Sequence, residues 1–360
     1  MPGLLLASKI CGENPSCAEE GVGFARRALG LMQCGCDQMG SVANCLLGVS
    51  LSAEARSVVS GSERIFKESE ALKALETAER TMKERDPKVL FHLSLENAEQ
   101  RRLNVALHYV RQFLKTESDS NIKGWILLAR ILSAQRRYKD AEIVINTALD
   151  ETGKWDQGDL LRTKAKLQIA QGQLRNAVET YTHVLAVLQV QNRSFRVGKK
   201  LQKDSTGKYD RSLEMETWHD LANVYTSLSL WRDAEVCLSK SKAISPYSAS
   251  RCHATGLLYE AKGLHKEALE AFISALGIEP THVPSLISTA AVLRQLGGKS
   301  LAVIRSFLTD ALRLDRTNAS AWYNLGVLYK AEGGASAQEA AECFQTAAIL
   351  QDSAPVEPFR

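Results

Sequence analysis

Apolar residues recur at three- and four-residue intervals along the chain, in runs broken by short polar corners. The stretch from Trp218 to Leu238 shows the unit. Trp218, Leu221, Ala222, Tyr225 and Leu228 fall on one helical face, "SLSLW" leaves room for a tight turn, and the same period resumes from about Trp231. Two antiparallel helices are therefore predicted. Such a hairpin cannot bury its apolar side alone, so it needs neighbours built in the same way.

The neighbours are present. Aligned on a small residue in the first helix and an alanine in the second, a spacing of twelve recurs at Ala129/Ala141, Ala165/Ala177, Ala222/Ala234 and Gly256/Ala268, with Ser94/Ala106 as a polar variant. Gly326/Ala340 is a wider version. A bulky residue stands four places before the small one at Trp125, Leu161, Trp218 and Trp322, with Cys252 as a smaller substitute. Pro246 and Pro280 close two units, where the second helix must stop. A 34-residue helix-turn-helix period with these features is the tetratricopeptide pattern. The predicted fold is all-α: a tetratricopeptide-repeat superhelical solenoid of antiparallel helix pairs.

The pattern has a packing cause. Where two helices cross closely, only Gly, Ala or Ser fits, while Trp, Leu and Tyr fill the space beside the crossing. Asp140, Asp233, Glu267 and Glu339 enter the second helices in their first turn, where negative charge suits the helix dipole, and they need no acid-base role.

The register places regular units at 87–120, 122–155, 158–191, 215–248, 249–282, 283–318 and 319–353, the last two lengthened through "LGGKS" and "EGGASA". Asp86-Pro87 supplies an N-cap and a first-turn proline. Residues 41–86 read as an extended divergent repeat stretched around "SAEARSVVSGS", residues 1–40 as an incomplete N-terminal repeat, 192–214 as a basic insertion and 354–360 as a tail. On this register the chain begins inside a repeat and represents a truncated form, with apolar surface exposed around Leu4 to Ile10 and a tendency to self-associate.

Composition narrows the function. In a chain of 360 residues the net charge of +4 does not point to nucleic acid. Five of the eight cysteines lie in the first 45 residues, but Cys34-Gly-Cys36 lacks the paired spacing of a zinc site, and the thiols read as reduced and intracellular. "LLLASKI" has neither the length nor the basic flank of a signal sequence, no stretch reaches the ~20 apolar residues of a membrane span, and neither Pro2 nor "EPFR" fits a lipidation signal. Gly298-Lys299-Ser300 imitates the end of a phosphate loop, yet Leu293 stands where its first glycine belongs, and helices rather than a strand flank it. The seven histidines are dispersed and form no helical zinc motif. No catalytic residues, cofactor or metal are predicted.

The repeat breaks at one basic place. Between Asn192 and Arg211 stand Arg193, Arg196, Lys199, Lys200, Lys203, Lys208 and Arg211 against Asp204 and Asp210, a net of +5 where the whole chain carries +4. Three readings stay open: a solvated loop, an electrostatic contact with acidic lipid, or a calmodulin target. For the last, Leu188, Phe195 and Leu201 lie seven and six residues apart, near the spacing of anchors on an amphipathic helix, with cations between them. Gly198 opposes a helix there. The basic helix Arg101 to Lys115 is a second candidate, although its apolar face reads as core.

"LLLASKICGENP", "FARRAL", "SVANCLLGVSLS", "HLSLENAEQRRL", "GWILLARILSAQRRYKDAE", "GKWDQGDLLRTKAKLQIAQGQL" and "AWYNLGVLYKAEG" together resemble the plant No Pollen Germination proteins. These are calmodulin-binding tetratricopeptide proteins, similar to the animal and fungal scaffold subunit of the plasma-membrane phosphatidylinositol 4-kinase complex. The resemblance spans essentially the whole chain, which looks like the C-terminal half of longer members. It implies a non-catalytic scaffold, cytoplasmic and peripheral to the plasma membrane, with calmodulin and kinase-complex subunits as partners and roles in pollen germination and polarised secretion. The alternative is a co-chaperone adaptor gripping acidic peptides. Of that clamp's positions only Asn223 matches; His219, Ala254, Pro284 and Ser288 stand where Lys, Asn and basic residues belong.

Overall fold

The computed structural model describes all residues except 1, 13, 15, 32–36, 59, 83–84, 118–120, 154–156, 199–205, 298–300 and 334–335; for 37–38, 192–198 and 206–210 it describes the backbone alone. The eighteen helices among the described residues run in pairs: α1 (Pro2–Gly12) with α2 (Ala18–Gly30), α3 (Asp37–Ser57) with α4 (Gly61–Thr81), α5 (Pro87–Glu99) with α6 (Leu103–Thr116), and α7 (Ile122–Ala134) leading to α8 (Tyr138–Glu151). The series continues with α9 (Gly158–Ala170) and α10 (Leu174–Gly198), α11 (Thr206–Ser227) and α12 (Trp231–Ile244), α13 (Ala249–Ala261) and α14 (His265–Ile278), α15 (Val283–Leu296) and α16 (Leu301–Leu314), then α17 (Ala319–Glu332) and α18 (Ala337–Asp352).

Local sequence sets the ends. Asp86 accepts the backbone N–H of Lys88 at 2.9 Å in front of Pro87, and Ser248, Asn121 and Asn318 cap α13, α7 and α17 in the same manner. Between the two helices of a pair, the fifteenth residue of each of the five 34-residue repeats between 87 and 282 takes a left-handed conformation: Arg101 (φ 60°), Arg136 (61°), Gly172 (77°), Ser229 (59°) and Gly263 (79°). Each is followed by the same closing bond, from the next N–H to the carbonyl five residues back, such as Arg102 to Asn97 at 2.8 Å and Leu230 to Tyr225 at 2.9 Å.

Two units are built from these pairs, one comprising residues 1–144 and 357–360, the other residues 145–356. In the first, α1 to α7 pack in sequence, and the first helices of successive pairs, α1, α3, α5 and α7, also touch one another. Its core holds Val22, Ala25, Leu47, Leu51 and Ala71, then Leu72, Leu75, Val89 and Leu93. In the second unit the same ladder runs through α9 to α18, with α9 touching α11, α11 touching α13 and α15 touching α17.

The small residues mark tight crossings. Ala129, Ala141, Ala234 and Ala268 are 0% exposed, and Ala222 and Ala340 are buried. Gly256 and Gly326 lie directly against the rings of Phe272 and Phe344. Ser94, the polar variant, is fully buried and donates its hydroxyl to the Ala106 carbonyl at 2.9 Å, so the crossing is kept with its polar atom satisfied. Trp125, Trp218 and Trp322 are half-buried beside the crossings, and the Trp322 indole donates to the Arg316 carbonyl at 2.8 Å.

Two expectations change. The stretched repeat at 41–86 accommodates its extra residues by lengthening both helices, α3 and α4, to 21 residues each. The insertion is partly helical as well: α10 continues to Gly198 and α11 starts at Thr206 rather than near 215. Gly198 is the last described residue of α10, and the backbone is helical through it. At the beginning of the chain, Leu6 and Ile10 are 59% and 70% exposed, while Leu4 and Leu5 are half-buried.

Candidate partner-binding surfaces

The basic segment grows out of α10. Leu188, the first of the three spaced anchors, is 2% exposed and packs with Leu161, Val184 and Leu213. It belongs to the repeat core and is not presented at the surface. Arg193, Phe195 and Arg196 lie on the helical extension of α10, where the backbone alone is described. Lys199, Lys200, Leu201 and Lys203 lie outside the described residues, as do Gly298-Lys299-Ser300 and Cys34-Gly-Cys36. The second candidate, Arg101 to Lys115, turns Ala106, Leu107, Val110, Phe113 and Leu114 of α6 into the core, which leaves no free apolar face there for calmodulin.

In the second unit, the inner helices form a charge network. Arg162 of α9 reaches Glu216 at 2.5 Å and Asp220 at 2.8 Å, both on α11, and Lys166 lies 3.6 Å from Asp220. Asn223 borders this network in a shallow depression of about 170 Å³ shared with Ile169, Leu174 and Tyr181. Its buried Oδ1 accepts no hydrogen bond among the described residues.

The clamp positions around Asn223 carry no cation. His219 is 5% exposed with Nε2 2.5 Å from Ser241 Oγ, and burial lowers its pKa to about 4. It is neutral at neutral pH. Ala254 is buried, and Ser288 lies 3.0 Å from His253 Nε2. A peptide carboxylate would meet Asp220 without a compensating ammonium at these positions. Although the histidines are dispersed in sequence, the fold brings His253 and His282 together edge-on, ring centroids 5.6 Å apart, and burial depresses the pKa of both, that of His253 to about 4.

Cys45, Cys237, Cys252 and Cys343 are buried free thiols, and burial pushes Cys45 and Cys237 up to about 12. They pack as small apolar groups. Among the described residues no group of three or more His, Cys, Asp or Glu is placed to hold a metal, and no helix is long and apolar enough to cross a membrane.

Sequence reading passes over two charges inside the first unit. Glu96 in "HLSLENAE" is 1% exposed, and the Arg130 side chain in "ILLARILSA" is 21% exposed. Both engage residues 357–360 of the same unit. A charge within an otherwise apolar helical face was the available signal.

Helix pairs crossing on small residues, with a left-handed corner in each 34-residue repeat, define a tetratricopeptide-repeat protein. The tetratricopeptide repeat model matches residues 249–282, the span of α13 and α14. The chain is 53% identical over 360 residues to Protein NPGR2 of Arabidopsis thaliana, covering 99% of this chain and 48% of that protein, and 43% identical over 359 residues to Protein NPG1 of the same plant, covering 99% and 50%. It belongs to the family of No Pollen Germination-related tetratricopeptide proteins, and spans about half the length of the curated relatives it matches. The crystal structure of Ypp1 aligns with a TM-score of 0.69 at 14% identity, covering 96% of this chain and 49% of that one, which shows a shared fold.

Proposed function

We propose that this chain is a non-catalytic scaffold of a plasma-membrane phosphatidylinositol 4-kinase complex, regulated by calmodulin, cytoplasmic and peripheral to the membrane, and serving pollen germination and polarised secretion. The observation that carries this reading is the 53% identity to Protein NPGR2 across 99% of the chain. The helix-pair repeats support it physically, because stacked inner faces offer extended surface for partner proteins.

The calmodulin segment in this reading is the end of α10 together with the basic stretch beyond it, where seven basic residues gather between 192 and 211. Acidic lipid is the second contact the same charge can make, worth ~1 kcal/mol per basic residue near the surface. Calorimetric titration with calmodulin, in calcium and in chelator, beside a variant lacking 192–211, tests the regulation. Calcium-dependent binding lost with the segment supports it; binding retained by the variant moves the site, and no binding removes calmodulin from the function. Co-expression with the kinase and its other subunits tests the scaffold role, which fails if the chain elutes alone.

A further inference from the structure

Residues 357–360, Glu-Pro-Phe-Arg, have no regular secondary structure and lie against the inner helices α3, α5 and α7 of the first unit. Glu357, 5% exposed, accepts from Nε and Nη2 of Arg130 at 3.3 and 3.0 Å. The third nitrogen of the same guanidinium, Nη1, donates to the Phe359 carbonyl at 3.3 Å. Phe359 is 8% exposed, with the Arg101 guanidinium 5.6 Å from its ring centroid. Arg360 Nη2 donates to Ser52 Oγ at 2.8 Å and to Glu96 Oε2 at 3.1 Å, while its Nε lies 2.7 Å from Glu99 Oε1. Ser52 in turn donates to Glu96 at 2.6 Å.

This is peptide recognition rather than core packing. Each side chain of the segment except proline meets a partner of matching chemistry: carboxylate to guanidinium, ring to guanidinium face, guanidinium to paired carboxylates. Proline restricts the backbone in advance and lowers the entropy lost on binding. The receptor groups belong to the inner helices and to the α5–α6 corner, so the repeats hold them whether or not the segment is bound. Emptying the groove would uncover Glu96 and Arg130 to water and break their pairs with Arg360 and Glu357. An occupant of the same chemistry restores both pairs, so one segment can replace another.

We propose that the inner face of the first unit is a peptide-binding site for an extended segment carrying a carboxylate, an aromatic ring and an arginine in that order, that residues 357–360 are its resident occupant, and that a partner protein bearing the same chemistry displaces them. This goes beyond the scaffold reading and does not depend on calmodulin. A tethered occupant competes at an effective concentration on the order of millimolar. A free peptide of about 10 μM intrinsic affinity then binds the intact chain roughly a hundredfold more weakly than a chain whose own segment is disabled.

The probe is a fluorescent peptide of residues 353–360, SAPVEPFR, titrated by anisotropy into the full chain and into a Glu357→Ala/Arg360→Ala variant. The variant is expected to bind the peptide at least tenfold more tightly than the wild type. Adding Arg130→Glu should abolish that binding, and a peptide with lysine in place of its glutamate should restore it. Three outcomes overturn the proposal. One is a helical, cooperatively melting double variant that binds no more tightly than the wild type. The second is binding indifferent to Arg130→Glu. The third is a double variant that no longer melts cooperatively, which makes 357–360 a structural closure of the unit rather than an exchangeable ligand.

Discussion

A β-carbon on Gly256 would stand 2.4 Å from Cε1 and 2.6 Å from Cδ1 of Phe272, so α13 can approach α14 this closely only because position 256 has no side chain. Phe272 is 0% exposed, and its other neighbour His253 lies with ring centroids 5.4 Å apart, which limits how far the ring can swing. Gly256→Ala is expected to lower stability by about 1–3 kcal/mol through overpacking, outweighing the ~1 kcal/mol helix advantage of alanine. Urea denaturation of the full chain checks this, and Gly256→Ala/Phe272→Leu should recover part of the loss. A midpoint unchanged or raised by the single substitution would show that the ring yields freely.

Ser229 occupies the same corner position as Gly172 and Gly263, at φ 59°, but with a side chain that disfavours the left-handed region. Replacing it with glycine removes that strain while loosening the unfolded chain, for a net stabilisation of about 0.5–1 kcal/mol. The reverse change, Gly263→Ala, meets no atom within 4 Å and so reports the backbone term alone, with a destabilisation of about 1 kcal/mol. Thermal melts of the two variants should move in opposite directions. Shifts in the same direction would mean that the corner tolerates any residue.

The repeat was legible because a close helix crossing leaves an imprint in sequence: Gly256, Ala222 and Ala268 are small for a steric reason that recurs every 34 residues. Asp86-Pro87 was legible for a similar reason, since capping needs particular atoms at particular places. The corners at Arg101, Arg136 and Ser229 were not, because their left-handed backbone is imposed by closing bonds and packing rather than by residue type. Nor was the continuation of α10 past residue 191, as the repeat code says where helices cross and nothing about how far one continues. The seat of Phe359 and Arg360 is tertiary: it joins residues more than two hundred positions apart, and only the charges of Glu96 and Arg130 within their helical faces hinted at it.

His219 gives the second unit a pH dependence. In the unfolded chain its imidazole takes a proton near 6.5, whereas in the fold burial holds that proton off until about 4, Asp220 opposing the shift and Arg251 and Arg162 adding to it. Between those values the unfolded state binds more protons, so stability falls as pH is lowered from about 6.5 toward 4 and this contribution falls no further below it. The full swing for this one group is about 3 kcal/mol. Melting temperatures of His219→Gln should decline less steeply across that window than those of the wild type. Parallel curves would assign the acid sensitivity to other groups, such as His92 and His253, whose pKa values burial also lowers to about 4.

Leu188 separates two ways in which calmodulin could engage α10. Its side chain is held by Leu161, Val184 and Leu213, so using it as an anchor requires pulling it from the core, at a cost like that of opening a cavity, about 2–5 kcal/mol. Leu213→Ala loosens that seat without altering the segment from 188 to 203. If Leu188 is an anchor, calcium-dependent affinity should rise in this variant by about tenfold, since less unpacking work opposes binding. If the segment binds through Phe195 and the cations beyond it, Leu213→Ala leaves the affinity unchanged while Phe195→Ala lowers it at least tenfold. Calorimetry on the three chains distinguishes the two, and the buried position of Leu188 favours the unchanged affinity, because an anchor committed to the core binds only in proportion to how often the core releases it.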